Sequence, residues 1–323
     1  LDASLAAAME AAVRHPDPGM PSPIAGENSV DSSLNAEAYM DAFEKVHAHI
    51  LRGDIYEMNL CRELRGFLPS GFSADAAFGD LVAKTLAPYS AHIQMGPVHI
   101  VSASPECFLE RQGDRLISRP IKGTAPRHAD PATDAKAAEN LRTDVKERAE
   151  NVMITDLVRN DLSRIAAPST VEVEELCGIH SFRNVHQMVS TVSCVVQPGT
   201  RFSEILKATF PMGSMTGAPK LRAVEITAEI EPVMRGLYSG TLGWADPNGE
   251  GDVGDFHLNV VIRTAVADTE TGRWSAHVGG AITALAQPLA EWKETQLKAK
   301  AVLEVLGGAE PVNRTENSAQ PHG

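Results

Sequence analysis

The sequence predicts an α+β fold built on antiparallel sheets, and two features of its patterning carry that expectation. Strand-like runs arrive as hairpins: residues 99–121 read as two strands about a Gln-Gly-Asp turn, and residues 256–280 repeat the pattern about Asp-Thr-Glu-Thr-Gly. The helical runs do not alternate one-for-one with these strands, which disfavours a doubly wound parallel sheet.

Taken in order, residues 1–35 form a short N-terminal segment whose stretch HPDPGMPSPIAGENSVDSS reads as a loop or linker, because Pro, Gly and Ser interrupt any periodicity. Residues 36–54 carry Tyr39, Phe43, Val46 and Ile50 at helical spacing and stop at Gly53. Residues 132–165 read as one or two helices in tandem, and residues 288–306, rich in Ala, Leu, Lys and Glu, as a C-terminal helix. A single catalytic domain over 36–308 is the simplest partition. Residues 309–323 end a polar stretch without apolar periodicity and are expected to be disordered.

Composition narrows the function classes. Of 323 residues, 43% are hydrophobic and 22% charged, the balance of an ordinary globule with a large core. No run of eighteen apolar residues is present, and the first residues lack a basic stretch followed by an apolar one, so neither a membrane span nor a secretory leader is expected and the cytoplasm is the expected compartment. Cys61, Cys107, Cys177 and Cys194 are widely spaced with no CxxC pair, which argues against a disulfide framework or thiolate zinc site and for buried thiols. A formal charge of −13 without a basic cluster disfavours nucleic acid as a partner, while a small anion remains open if a few cations are focused in one cleft.

Several segments carry chemistry. Glu147 with Glu150, and Glu291 with Glu294, are i,i+3 pairs that each project from one helix face. Brought together they would suit a hard divalent cation such as magnesium, though on spacing alone a solvated surface explains such pairs more often. In SRPIKGTAPR, Lys122 stands at a strand end before a Gly-Thr turn, where a partly neutral amine can be a nucleophile and a surface lysine is the plainer alternative. FPMGSMTGAPK sets Gly213 and Gly217 beside Ser214, Thr216 and Lys220, and VGGAI precedes the C-terminal helix; both suit an anion, and neither is a nucleotide motif. Arg263, a lone charge in a β-patterned run, needs an anionic partner if it points inward, whereas His186 reads as a satisfied, partly buried histidine.

The order SPECFLE, RPIKGTAPR, KERAENVMITDLVRNDL, VHQMVSTV, FPMGSMTGAPK, RGLYSG, IRT, VGG and EWKET…K closely resembles the chorismate-binding enzyme family, anthranilate synthase component I among its members, from about Ala36 to Leu306. That resemblance implies two large antiparallel-rich sheets packed as a sandwich, flanked by helices, with a cleft for the active site. It implies magnesium held by Glu150, Glu291 and Glu294 with Glu147 close by. Chorismate carboxylates would meet Arg263, Tyr238, Lys298, Thr216 and the Gly279 and Gly280 amides, with His186 and Thr124 lining the ring pocket. Glu106 would be the general acid for the departing C4 hydroxyl.

Within this family anthranilate synthases resemble PIAGT and aminodeoxychorismate synthases PIKGT; here the run is Pro120-Ile121-Lys122-Gly123-Thr124. The implied reaction forms a Lys122 adduct at C2, then adds ammonia at C4. No GxCxG-like nucleophile turn is present, so ammonia is expected from a separate glutamine amidotransferase subunit. Glu57 departs from the pattern, standing where amine-adding members often carry Gln and water-adding members Lys; Ala281 replaces a common third glycine. The short segment before the core leads to the expectation of no tryptophan inhibition. Anthranilate synthase component I is the second reading, and a non-catalytic paralogue that only binds chorismate or a partner the third.

Overall fold

In a computed structural model, residues 29–249 and 252–308 are described. The predicted tail at 309–323 and most of the N-terminal segment lie outside them. Within the part of that segment which is described, β1 (Asp31–Ser32) pairs with β2 (Glu57–Phe67), so these two residues extend a sheet edge.

Helix α1 (Ala36–Leu51) begins where the Asn35 side chain accepts a hydrogen bond from the Ala38 amide, and it buries Tyr39, Ala42, Phe43, Val46 and Ile50 as one stripe. After β2 come α2 (Ala74–Thr85), β3 (Tyr89–Met95), β4 (Val98–Ser104), β5 (Cys107–Gln112), β6 (Arg115–Arg119) and β7 (Ile121–Pro126). The tandem helices are two, α3 (Pro131–Thr143) and α4 (Val145–Ser163). Asp144 separates them and caps the second through the Glu147 amide. There follow β8 (Glu172–Ser181), β9 (Val185–Val195), α5 (Phe202–Thr209), α6 (Gly213–Thr216), β10 (Gly217–Ala218) and α7 (Lys220–Ile230). The chain then runs through β11 (Thr241–Pro247), β12 (Val253–Val260), β13 (Thr264–Asp268) and β14 (Arg273–Thr283) into α8 (Pro288–Val305).

The strands form two seven-stranded sheets, and every described pairing is antiparallel. Sheet one runs β1-β2-β14-β13-β4-β3, with β10 also on β2; sheet two runs β11-β12-β5-β6-β9-β7, with β8 also on β9. Both predicted hairpins form, as β5–β6 and β13–β14, but each run also contains a third strand, β4 or β12, that belongs to the other sheet. Pro105, which has no amide hydrogen to donate, separates β4 of sheet one from β5 of sheet two. Arg263, in the left-handed region at φ 52°, separates β12 of sheet two from β13 of sheet one. The two crossovers run side by side: the Val260 amide donates to the Glu106 carbonyl at 3.0 Å, and the Ala103 amide to the Arg263 carbonyl at 3.2 Å.

Three apolar clusters hold this frame. Helices α1, α7 and α8 cover Met58, Leu60 and Ile282 of sheet one, and further along the same sheet Leu64, Val101, Ala265 and Val278 meet Leu81 of α2 and Leu303 of α8. On sheet two, Leu109, Leu116, Val192 and Phe256 pack with Ile154, Val158 and Leu162 of α4. Cys61 of β2 joins this last cluster, so the sheets share a core on one side of the cleft. All four cysteines are buried thiols. None of the described helices is long and apolar enough to cross a membrane.

Candidate active site

The cleft opens where β2 and β14 of sheet one approach β7 of sheet two. In β7 the pairing with β9 slips between Ile121 and Thr124, and Gly123 takes φ +92°, so the strand bulges at Lys122. An added Cβ at Gly123 would lie 3.0 Å from Glu147 Oε2, which is why a side chain is not tolerated there. The bulge delivers Lys122 across the cleft: its Nζ donates to Glu57 Oε1 at 2.6 Å, with Glu57 only 1% exposed. Burial alone would pull the Lys122 amine down, but the charges of Glu57, Glu150 and Glu106 outweigh it and hold the ammonium above its ordinary range. Burial pushes the Glu57 carboxyl up, against the opposing pull of Lys122. Glu57 Oε2 is buried with no hydrogen-bond partner among the described residues.

Glu106 follows Pro105 at the first crossover and is buried. Removal from water raises its carboxyl to about 7, opposed by hydrogen bonds from Ser214 and the Ile121 amide and by the Lys122 charge. It is therefore a proton-carrying acid near neutrality, one strand away from the amine. Ser214, read from sequence as part of an anion loop, serves this carboxyl instead.

Three of the four paired glutamates converge. Lys146 Nζ lies 3.8, 3.3 and 3.1 Å from carboxylate oxygens of Glu147, Glu150 and Glu291, and Thr283 Oγ1 donates to Glu150 at 3.5 Å. Burial and the Glu150 charge push Glu147 up; burial pushes Glu291 up against the pull of Lys146. Glu294 instead pairs with Lys298 at 2.6 Å, and that cation holds it below its ordinary value despite burial. Three buried or half-buried carboxylates around one positive charge are a hard-oxygen donor set that suits a divalent cation. Gly280 leaves the room, since a Cβ there would stand 3.2 Å from Glu291 Oε2.

Of the residues expected to meet carboxylates, Lys298, Gly279 and Tyr238 come together. Lys298 Nζ donates to the Gly279 carbonyl at 2.9 Å. An added Cβ at Gly279 would fall 2.7 Å from the Tyr238 hydroxyl, which also receives a long 3.5 Å contact from Asn59. Arg263 makes no side-chain hydrogen bond or ion pair with the described residues, and burial pulls its guanidinium down, so it is a cation awaiting an anion. Thr216 is buried with its hydroxyl on the Met212 carbonyl at 3.2 Å, and Lys220 ties to Asp161 at 2.6 Å and to the Thr209 carbonyl, so the Gly-rich segment spends those two groups on itself and on α4.

His186 is buried and satisfied, as its sequence context alone suggested. Its Nδ1 meets Ser181 Oγ at 2.8 Å and its Nε2 meets Asp134 at 3.0 Å, so both ring nitrogens are engaged toward β8 and α3. Thr124 is exposed and sits opposite Gln187, whose side chain alternation turns to the other face of β9 from His186. Sequence reasoning also passed over Lys146, four residues before Glu150 on the same helix, and Arg235, which grips Glu231 and the carbonyls of Met215 and Asn59. The i,i+4 spacing to Glu150 was the available signal for Lys146.

The site thus gathers a buried lysine, an acid near neutrality, a carboxylate cluster and, in Arg263, a guanidinium without a side-chain partner among the described residues. The chorismate binding enzyme family model matches residues 2–304, and the chain belongs to that family. It is 37% identical over 287 residues to anthranilate synthase component 1 of Streptomyces coelicolor, covering 88% of this chain and 54% of that protein. It is 38% identical over 282 residues to aminodeoxychorismate synthase component 1 of Klebsiella aerogenes, covering 85% of this chain and 59% of that protein. The chain thus spans little more than half the length of these relatives. Its fold matches the crystal structure of anthranilate synthase component I from Streptococcus pneumoniae with a TM-score of 0.76 at 26% identity, over 93% of this chain and 65% of that one.

Proposed function

We propose that this chain aminates chorismate at C4, as the component I of an aminodeoxychorismate synthase, with ammonia supplied by a glutamine amidotransferase partner. The observation that carries the reading is Lys122, aimed into the cleft by the β7 bulge and flanked by Glu57 and Glu106. Relatives of the two kinds match at nearly equal identity, so overall similarity does not choose between them.

In this mechanism Arg263, Tyr238 and Lys298 bind and orient the carboxylates of chorismate. The neutral Lys122 amine bonds to C2, the ring double bonds shift, and the C4–O bond breaks as Glu106 gives its proton to the departing oxygen, which leaves as water. Ammonia then bonds to C4, the double bonds shift back, and the C2–N bond breaks to free Lys122. The proton shed by the new C4 ammonium returns to Glu106. Glu150, Glu291, Glu294 and Glu147 would hold magnesium, which when bound supplies Lewis-acid stabilisation of oxyanion charge.

The second reading, anthranilate synthase component I, rests on the Streptomyces coelicolor and Streptococcus pneumoniae likenesses. Product analysis separates the two. Purified chain with chorismate, magnesium and ammonium at alkaline pH is expected to yield 4-amino-4-deoxychorismate with no pyruvate. Anthranilate with pyruvate would establish the second reading instead.

A further inference from the structure

Glu57 is the one residue in the cleft that departs from the family pattern yet touches the reacting amine. Its Oε1 accepts from Lys122 Nζ at 2.6 Å. Its Oε2 is buried and receives no hydrogen bond from any described residue. A carboxylate oxygen removed from water without a donor is costly, and protonation is one way to relieve that cost. The position is fixed by backbone, not by chance: β10 lies on β2 with Ala218 opposite Glu57 and Gly217 opposite Met58, while Thr283 of β14 flanks Glu57 on the other side. This ladder fixes the Glu57 backbone, from which the side chain reaches Lys122.

From this geometry we infer that Glu57 is a catalytic residue, the base that takes the Lys122 proton before attack and returns it when the lysine departs. The inference rests on the proposed amination reaction. Lys122 as an ammonium has no lone pair to give C2. Transfer of one proton from Nζ to the Glu57 carboxylate leaves a neutral amine and a neutral acid. The amine then forms the C2–N bond; when that bond breaks in the second displacement, Lys122 leaves with the electron pair and recovers the proton from Glu57. Glu106 gives and regains a separate proton at the C4 oxygen and nitrogen, so the two acids work on different atoms and the cycle balances.

The surrounding charges matter to this transfer. Lys122 faces Glu57 from β2, Glu106 from the β4–β5 crossover and Glu150 from α4; Glu57 faces Lys122, Glu150 and Lys146. The neighbouring carboxylates favour the ion pair, whereas the burial of both groups favours the neutral pair, because two buried charges lose more solvation than two neutral partners. Burial already pushes Glu57 up in the direction that makes it a better proton holder.

The test is single-turnover conversion of chorismate by the full chain with ammonium and magnesium, from pH 7 to 10, for wild type, Glu57→Gln and Glu57→Asp. Glutamine keeps a hydrogen bond to Lys122 but accepts no proton. At pH 7.5 Glu57→Gln is expected to lose about 100-fold in rate, the usual size of a lost general base. That loss should shrink as pH rises, since hydroxide takes over the proton, while KM for chorismate stays within about twofold and Glu57→Asp keeps part of the rate. Thermal melting checks that each variant is folded; a misfolded glutamine variant leaves the aspartate variant's pH profile, expected to be displaced from wild type, to decide. Glu57→Gln turning over as fast as wild type or faster at pH 7.5 would overturn the role and leave Glu57 as a clamp. A loss that does not change with pH would also overturn it. No aminodeoxychorismate from wild type at any pH would sink the amination reading itself, and this inference with it.

Discussion

Glu106 sits at about 7 chiefly because the crossover walls remove it from water. The linkage has a definite sign. A carboxyl raised in the folded state holds its proton longer than in the unfolded chain, so its contribution to stability is whole below the ordinary value of 4.5 and is lost as pH rises to about 7. With about 1.4 kcal/mol per pH unit over that window, the loss is on the order of 3 kcal/mol. Glu106→Gln is therefore expected to be more stable than wild type at pH 8 and to lose most of that margin at pH 4.5, read by urea unfolding. An equal margin at both pH values would contradict the burial of an ionisable acid there. Of the side chains involved, Lys122 and Glu106 were legible because their motifs are specific in order and spacing. Lys146 was not, since a lysine beside glutamates on a helix looks like surface until a second helix brings Glu291 to it. His186 was legible as a satisfied, buried histidine and is one, although alternation along β9, which a sequence does not label, decides which wall it faces.

At the level of elements, the short β10 does more than its two residues suggest. Gly217 has φ +136°, and an added Cβ would collide with the Glu57 carbonyl oxygen across the β10–β2 ladder. Gly217→Ala is expected to lower stability by about 2 kcal/mol or more and to lower the rate of chorismate conversion, because both backbone strain and the seating of Glu57 are affected. Unfolding curves and initial rates check this; an unchanged melting temperature would contradict the close approach. Helix α1 was readable from apolar spacing and α8 from composition, and α3 and α4 as one or two helices in tandem; the caps at Asn35 and Asp144 came only with the structure. The two hairpins about Gln-Gly-Asp and Asp-Thr-Glu-Thr-Gly were read correctly, but each run also holds a third strand that joins the other sheet. The sequence marks the break at Pro105, yet nothing local says that the chain changes sheets there, because that depends on pairing with β12 and β13, some 150 residues away.

For the whole molecule, the two sheets and their helices bring acids from α4 and α8 around Lys146, while Arg263 comes from the β12–β13 crossover and Lys298 from α8. The overall charge of −13 does not report how individual cations are focused locally. Magnesium is expected to raise the melting temperature of wild type and not that of Glu150→Gln or Glu291→Gln, since a ligand that binds only the folded state stabilises it by about 2.7 kcal/mol at 100 times its Kd. Equal shifts in all three would place the cation elsewhere. The antiparallel α+β architecture was legible from hairpins and motif order; the cleft's contents depend on contacts between residues far apart in the chain, such as Glu57 with Lys122.

The central claim is that Lys122 becomes covalently bonded to the substrate ring. Its most direct test is peptide mass spectrometry of enzyme quenched after mixing with chorismate and magnesium in the absence of ammonia. The account predicts an adduct of chorismate less one water on the peptide containing Lys122, absent from Lys122→Ala and discharged when ammonium is added. Formation of aminodeoxychorismate by Lys122→Ala at the wild-type rate, with no adduct on the wild-type lysine, would contradict it.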